Sequence, residues 1–268
     1  MTARIAVVGI DGCGKSSLIA RLRAGNQLTL SCPDLHHNAD GPLHDLSRKL
    51  AAVGAAADAV GNPAVKAATL YLRMTLYGPV EDFLLRTYRP EVLICERHPL
   101  IETLVYAPLY ARLAGRARRD VAPVLDRAER QLPGATAALR RWQALEQDRV
   151  GIGGDLATVL DEIVTILGTG TEAAVTRFAQ SYRTTLPDRV LWLDTPPADA
   201  ARRLALRGGP LETHENLAHL ETLRTGYREL GARLESVWPG LRFVRVPNAD
   251  SADPAEVLDA CLAAANSP

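Results

Sequence analysis

Gly9-Ile10-Asp11-Gly12-Cys13-Gly14-Lys15-Ser16 is a glycine, four residues, and then Gly-Lys-Ser. The glycines let successive backbone N–H groups curl around a phosphate, and a helix start adds positive potential at the same point. The mechanism requires a buried strand before the loop and a helix after it. The flanks comply. Ile5-Ala6-Val7-Val8 is an apolar run, and the pattern after it predicts a helix from Lys15 to about Leu22, with Gly25 and Asn26 as its stop signal. Lys15 would reach the β- and γ-phosphates, and Ser16 would offer its hydroxyl to Mg²⁺. The chain has only two other lysines, Lys49 and Lys66, so this placement is informative. GTPase switches, ATPase motors and small-molecule kinases all use such a loop, and other residues must separate them.

Outward from the loop, four more short apolar runs occur: Leu28–Leu30, Val92–Cys95, Val190–Leu193 and Arg242–Val246. They read as strands buried on both faces, with helical patterns between them. That alternation predicts an α/β fold, a five-stranded parallel sheet with helices on both faces. Residues 32–42 are turn-rich and carry His36 and His37. A helix is predicted over 64–89 with a break at Gly78-Pro79. Residues 106–183 read as a helical insertion on one side of the sheet, broken at Pro133-Gly134 and Gly151–Gly154. Helix resumes over 198–238 with a break at Gly208-Gly209-Pro210, and a last helix covers 254–265. No repeat or linker interrupts the chain, so one domain over 1–268 is expected.

Composition narrows the partners. In 268 residues, 47% hydrophobic and 23% charged content is that of a folded protein. Basic and acidic residues balance at 31 each, which leaves no overall field to attract nucleic acid or an anionic membrane. No segment reaches the roughly 20 apolar residues that span a bilayer. Cys13, Cys32, Cys95 and Cys261 show neither metal-ligand spacing nor a disulfide framework, so the expected compartment is the reducing cytoplasm.

The run Val92–Cys95 ends in Glu96-Arg97-His98. An acid and an arginine at the carboxyl end of a strand lie at the edge where open α/β sheets bind ligands. Beside the first strand, Glu96 would hold Mg²⁺ through water or accept a proton from an attacking hydroxyl, and Arg97 would bind a phosphate or substrate oxygen. The alternative is an ion pair that merely caps the strand. Arg73 lies in the densely apolar Leu70–Leu76 stretch, where a part-buried guanidinium needs an anionic or hydrogen-bonding partner.

The loop Gly9–Ser17, with Asp11 inside it, resembles that of thymidylate kinases. Glu96-Arg97-His98 stands where those enzymes carry an Asp-Arg-aromatic triplet, and is closer still to the Glu-Arg-Ser triplet of deoxynucleoside kinases. Val190–Asp194 is similar to the family's strand before its lid. Arg203, Arg207-Gly208 and Leu211–Glu215 resemble the lid, which gives a lid at about 202–216. Tyr227 tracks the tyrosine of the following helix, and Val246–Asp250 resembles the loop that holds the adenine. The resemblance implies ATP as donor, with Mg²⁺. It implies that Gly9, Asp11, Gly12, Cys13, Gly14, Lys15, Ser16, Ser17, Arg203 and Asp250 bind the nucleotide. Lys15, Glu96, Arg97 and Arg207 would be catalytic, and Ser16 and Glu96 would serve the metal. Asp11, Arg73 and Arg97 would contact the acceptor. The thymidylate kinases' Arg-Glu-Pro-Gly stretch is replaced by Pro33–Asn38, which puts His36 among the expected acceptor contacts.

The expected activity is phosphoryl transfer from ATP to a nucleoside monophosphate, as in thymidylate kinases. One alternative is a kinase of a deoxynucleoside or nucleoside-like metabolite hydroxyl. Another is a non-catalytic nucleotide-binding module, although the chain has no Asn-Lys-x-Asp guanine motif. The resemblance leaves room for a homodimer.

Overall fold

A computed structural model of the chain describes residues 2–22, 27–39, 41–115, 120–152, 154–208 and 215–266. They fall into two compact units. The first comprises Met1–Ser31, Leu84–His98 and Leu186–Pro268; the second comprises Cys32–Phe83 and Pro99–Thr185.

The first unit is built on five parallel strands: β1 (Ala3–Val8), β2 (Gln27–Ser31), β3 (Val92–Glu96), β4 (Arg189–Asp194) and β5 (Arg242–Pro247), in the order β2-β3-β1-β4-β5. All five predicted runs are strands, each extended by one or two residues. Val7, Val8, Leu93, Cys95, Val190 and Leu191 have no exposed surface, as continuous apolar runs in a covered parallel sheet require.

Helices α1 (Lys15–Leu22), α10 (Pro197–Arg207), α11 (Leu217–Val237) and α12 (Pro254–Asn266) belong to this unit. Strand pleating sorts them onto two faces. Trp192 and Phe243 point one way, where Trp192 stacks on Tyr227 of α11. A Cβ on Gly231 of α11 would come within 2.7 Å of the Phe243 ring, so the helix approaches the sheet closely there. Leu193 points the other way and shares a cleft with Leu18 of α1 and Val257 of α12.

The second unit is helical. It holds α2 (His44–Val60), α3 (Pro63–Met74), the start of α4 (Tyr77–Tyr88), α5 (Pro99–Ala114), α6 (Ala122–Gln131), α7 (Ala135–Val150), α8 (Val159–Leu167) and α9 (Thr171–Tyr182). One helix goes beyond the sequence expectations and two expectations are corrected. First, α2 was not predicted; it buries Ser47, Leu50, Val53, Gly54 and Ala57 at helical spacing and stops at the left-handed Gly61. Second, the break in 64–89 falls at Thr75-Leu76, not at Gly78-Pro79. Pro79 sits in the first turn of α4, where its missing N–H has no helical partner to lose. Gly78 is needed there because a Cβ would lie 2.2 Å from the Tyr182 carbonyl oxygen. Third, the helical stretch begins at Pro99 rather than about 106.

Asn62 caps α3 by accepting from Val65 N at 3.1 Å, and Pro63 opens the helix. Buried Lys66 is paired with Asp58, and buried Glu146 with Arg149 and Arg183. Gly25 and Asn26, the stop signal expected for α1, and Gly209, Pro210, Leu211, Glu212, Thr213 and His214 of the expected lid, lie outside the described residues.

Candidate active site

The phosphate loop joins β1 to α1 at the carboxyl edge of the sheet. Its backbone needs glycine where the chain is both left-handed and crowded. Gly12 has φ +78°, and a Cβ there would lie 2.4 Å from the Ala200 carbonyl oxygen. The amine of Lys15 is 5% exposed and donates to Gly9 O and Ile10 O, both at 3.0 Å, with Asp11 Oδ1 4.0 Å away. Cys13 Sγ lies 3.6 Å from the same amine. Burial pushes the Cys13 thiol above its ordinary range, more than nearby Lys15 and Arg97 pull it down, so the thiol stays protonated.

β3 pairs with β1 and extends the edge. Val7 lies opposite Glu96, and Arg97 N donates to Val7 O at 2.9 Å. That register brings Glu96 to the loop: Ser16 Oγ donates to Glu96 Oε1 at 2.7 Å. Arg97, held at φ +64°, turns its guanidinium onto Asp11. Two side-chain pairs, Ser16–Glu96 and Asp11–Arg97, therefore stand on this edge of the first unit, with Lys15 4.0 Å from Asp11. Ser16 and Glu96 supply hard oxygen donors side by side, a set that fits Mg²⁺ with water completing its shell.

The loop after β5 closes the other side. Asn248 Nδ2 donates to Cys13 O at 2.6 Å. Arg203 Nε donates to Asp250 Oδ1 at 2.6 Å, and Arg203 also reaches Asn248 O at 3.3 Å. Arg202 pairs with the same Asp250 carboxylate. Between this loop, α1 and α12 lies a cleft of about 380 Å³, lined by Gly14, Ser17, Leu18, Arg203, Asn248 and Pro254 among others. Arg207 donates to Glu215 Oε1 at 2.8 Å, a carboxylate only 4% exposed.

The end of β4 carries a second charged cluster. Asp194, 3% exposed, accepts from Arg224 Nε at 2.5 Å and from Arg245 Nε at 2.6 Å. Burial alone would raise its pKa; the hydrogen bonds from Arg224 and Arg245 outweigh that and hold it below the usual carboxylate range.

The remaining expected contacts lie in the second unit. Arg73, 6% exposed, finds its required partner in Asp34, while its Nε is buried without a hydrogen bond. His36 Nδ1 lies 3.1 Å from Ser47 Oγ. Sequence reading did not single out Asn248, Asp194 or Asp34. For Asp34 a signal existed: Arg73 in an apolar stretch demanded an acid, and Asp34 stands in the nearest turn-rich segment.

No family model matches the chain, and no curated protein does. Solved structures do. One is a deoxyadenosine kinase from M. mycoides with products dCMP and a flexible dCDP bound. It is 14% identical, covering 97% of this chain and 96% of that one, with a TM-score of 0.51. The chain therefore shares the fold of that kinase.

Proposed function

We propose that the protein is a kinase that transfers the γ-phosphoryl group of ATP to the hydroxyl of a nucleoside or nucleoside-like acceptor. The observation that carries this reading is the Ser16–Glu96 hydrogen bond, 2.7 Å long, which sets a carboxylate beside the phosphate loop. The deoxyadenosine kinase likeness supports the same class.

In this reading, the loop N–H groups and Lys15 hold the triphosphate and offset charge on the transferred group. The cleft beside Asn248 and Arg203 takes the adenine. Ser16 and Glu96 would hold Mg²⁺, which when bound neutralises phosphate charge. Glu96 also stands ready to accept the proton of the attacking hydroxyl. Arg97, oriented by Asp11, binds a phosphate oxygen, and Arg207 acts from the lid once released from Glu215.

A nucleoside acceptor is favoured over a nucleotide because Asp34 already neutralises Arg73. The pair offers hydrogen bonds rather than net positive charge, which suits an uncharged base or sugar. The unspent Nε of Arg73 favours the second reading, a monophosphate acceptor as in thymidylate kinases. Incubation with ATP, Mg²⁺ and a panel of nucleosides and monophosphates tests both. Phosphorylated nucleosides are expected. Products formed only from monophosphates would select the second reading, and tight ATP binding with no product would remove the kinase assignment.

A further inference from the structure

The turn after β2 brings three potential metal-ligating side chains together, one of which, Asp34, also pairs with Arg73. We propose that Asp34, His36 and His37 form a binding site for a divalent transition-metal ion of the Zn²⁺ type, separate from the Mg²⁺ that Ser16 and Glu96 would hold.

A ring nitrogen of each histidine and a carboxylate oxygen of Asp34 lie within 4.8 Å of one another. The backbone arranges this. Leu35–His37 is a single 3₁₀ turn, closed by His37 N donating to Asp34 O at 3.0 Å. Three residues per turn bring positions 34 and 37 to the same side. Leu35, 2% exposed, anchors the turn in the core and leaves its neighbours facing outward.

Two of the three side chains are already oriented. Ser47, fully buried, meets both the backbone N of His36 at 3.2 Å and its Nδ1 at 3.1 Å, which fixes the ring. Asp34 is held by Arg73. Outer partners that fix ligand orientation are what metal sites characteristically have. His37 is exposed and can swing inward. Zinc–ligand bonds of about 2.0–2.1 Å put tetrahedral donors roughly 3.3–3.5 Å apart, so closure needs side-chain movement of about 1 Å.

The donor set selects the metal class. Two imidazoles and one carboxylate suit Zn²⁺, Ni²⁺ or Cu²⁺, whereas Mg²⁺ and Ca²⁺ prefer oxygen alone. Three protein ligands leave a fourth position for water or a small anion.

The test is equilibrium dialysis of the purified full chain against Zn²⁺ alone, with the Co²⁺ form read by its visible absorption. One equivalent of Zn²⁺ and a tetrahedral Co²⁺ band are expected. His37→Ala, a surface change that should leave the circular dichroism unaltered, is expected to weaken binding by at least about tenfold and abolish the band. Asp34→Asn is expected to do the same, and His219→Ala to change neither. Failure to bind stoichiometric Zn²⁺, or binding that His37→Ala leaves intact, overturns the site. Neither result depends on kinase activity.

Discussion

The phosphate-loop edge and the surroundings of Arg73 are organised in opposite ways. At the loop, backbone does most of the work: glycines set the turn, carbonyls hold Lys15, and strand register delivers Glu96. Around Arg73, side chains do it: a guanidinium in an apolar helix is held by the acid of a separate turn, Asp34. A backbone-built site tolerates little change in shape but depends weakly on distant residues. A side-chain-built site can be retuned by one substitution.

The sharpest way to break this contrast is Lys15→Ala. Loss of one preorganised charge donor is expected to lower kcat by about 10²–10³-fold. Thermal unfolding should show the fold intact. The opposite pattern is expected from Leu50→Ala in α2, a fully buried leucine. It should cost about 2–5 kcal/mol in denaturant unfolding by leaving a cavity, with kcat per folded molecule nearly unchanged. Should Leu50→Ala instead abolish turnover in a well-folded sample, the two regions are not separable in this way.

A smaller effect is expected from Arg73→Ala. The acceptor KM should rise about tenfold, the value of one charged hydrogen bond, while the KM for ATP stays constant. Asp34→Asn leaves the guanidinium unneutralised, so it should shift preference toward monophosphate acceptors. Steady-state kinetics with matched nucleoside and monophosphate pairs would read both changes.

The mildest test concerns Asp194. Its pKa is depressed in the folded state, so its contribution to stability is complete above the unfolded carboxylate value near 4 and is lost as pH falls through the folded value. Wild type should therefore lose stability more steeply below about pH 4 than Asp194→Asn does. Parallel curves in acid denaturation would refute the assigned role of Arg224 and Arg245.

How much of this was legible in the sequence follows from the same contrast. The strands showed because a doubly covered parallel strand is an unbroken apolar run. The loop showed because all its chemistry lies within eight consecutive residues, Gly9–Ser16. Helix α2 did not, because its buried stripe includes Ser47, Gly54 and Ala57, residues too small or polar to mark a face. The Gly78-Pro79 pair read as a breaker although both residues fit the first turn of α4. Contacts between distant side chains, Asn248 to Cys13 and Asp34 to Arg73, leave no periodic trace; only the demand of a buried Arg73 pointed toward one of them.

The bond from Asn248 to the Cys13 carbonyl joins distant parts of the sequence. The glycine-rich turn is made by residues 9–16, yet its brace comes from Asn248, with a sequence separation of 235 from Cys13. A chain cut before that residue would carry the entire nucleotide signature without the strut that secures it. The shape of the turn is thus secured by the assembled sheet rather than by the motif alone.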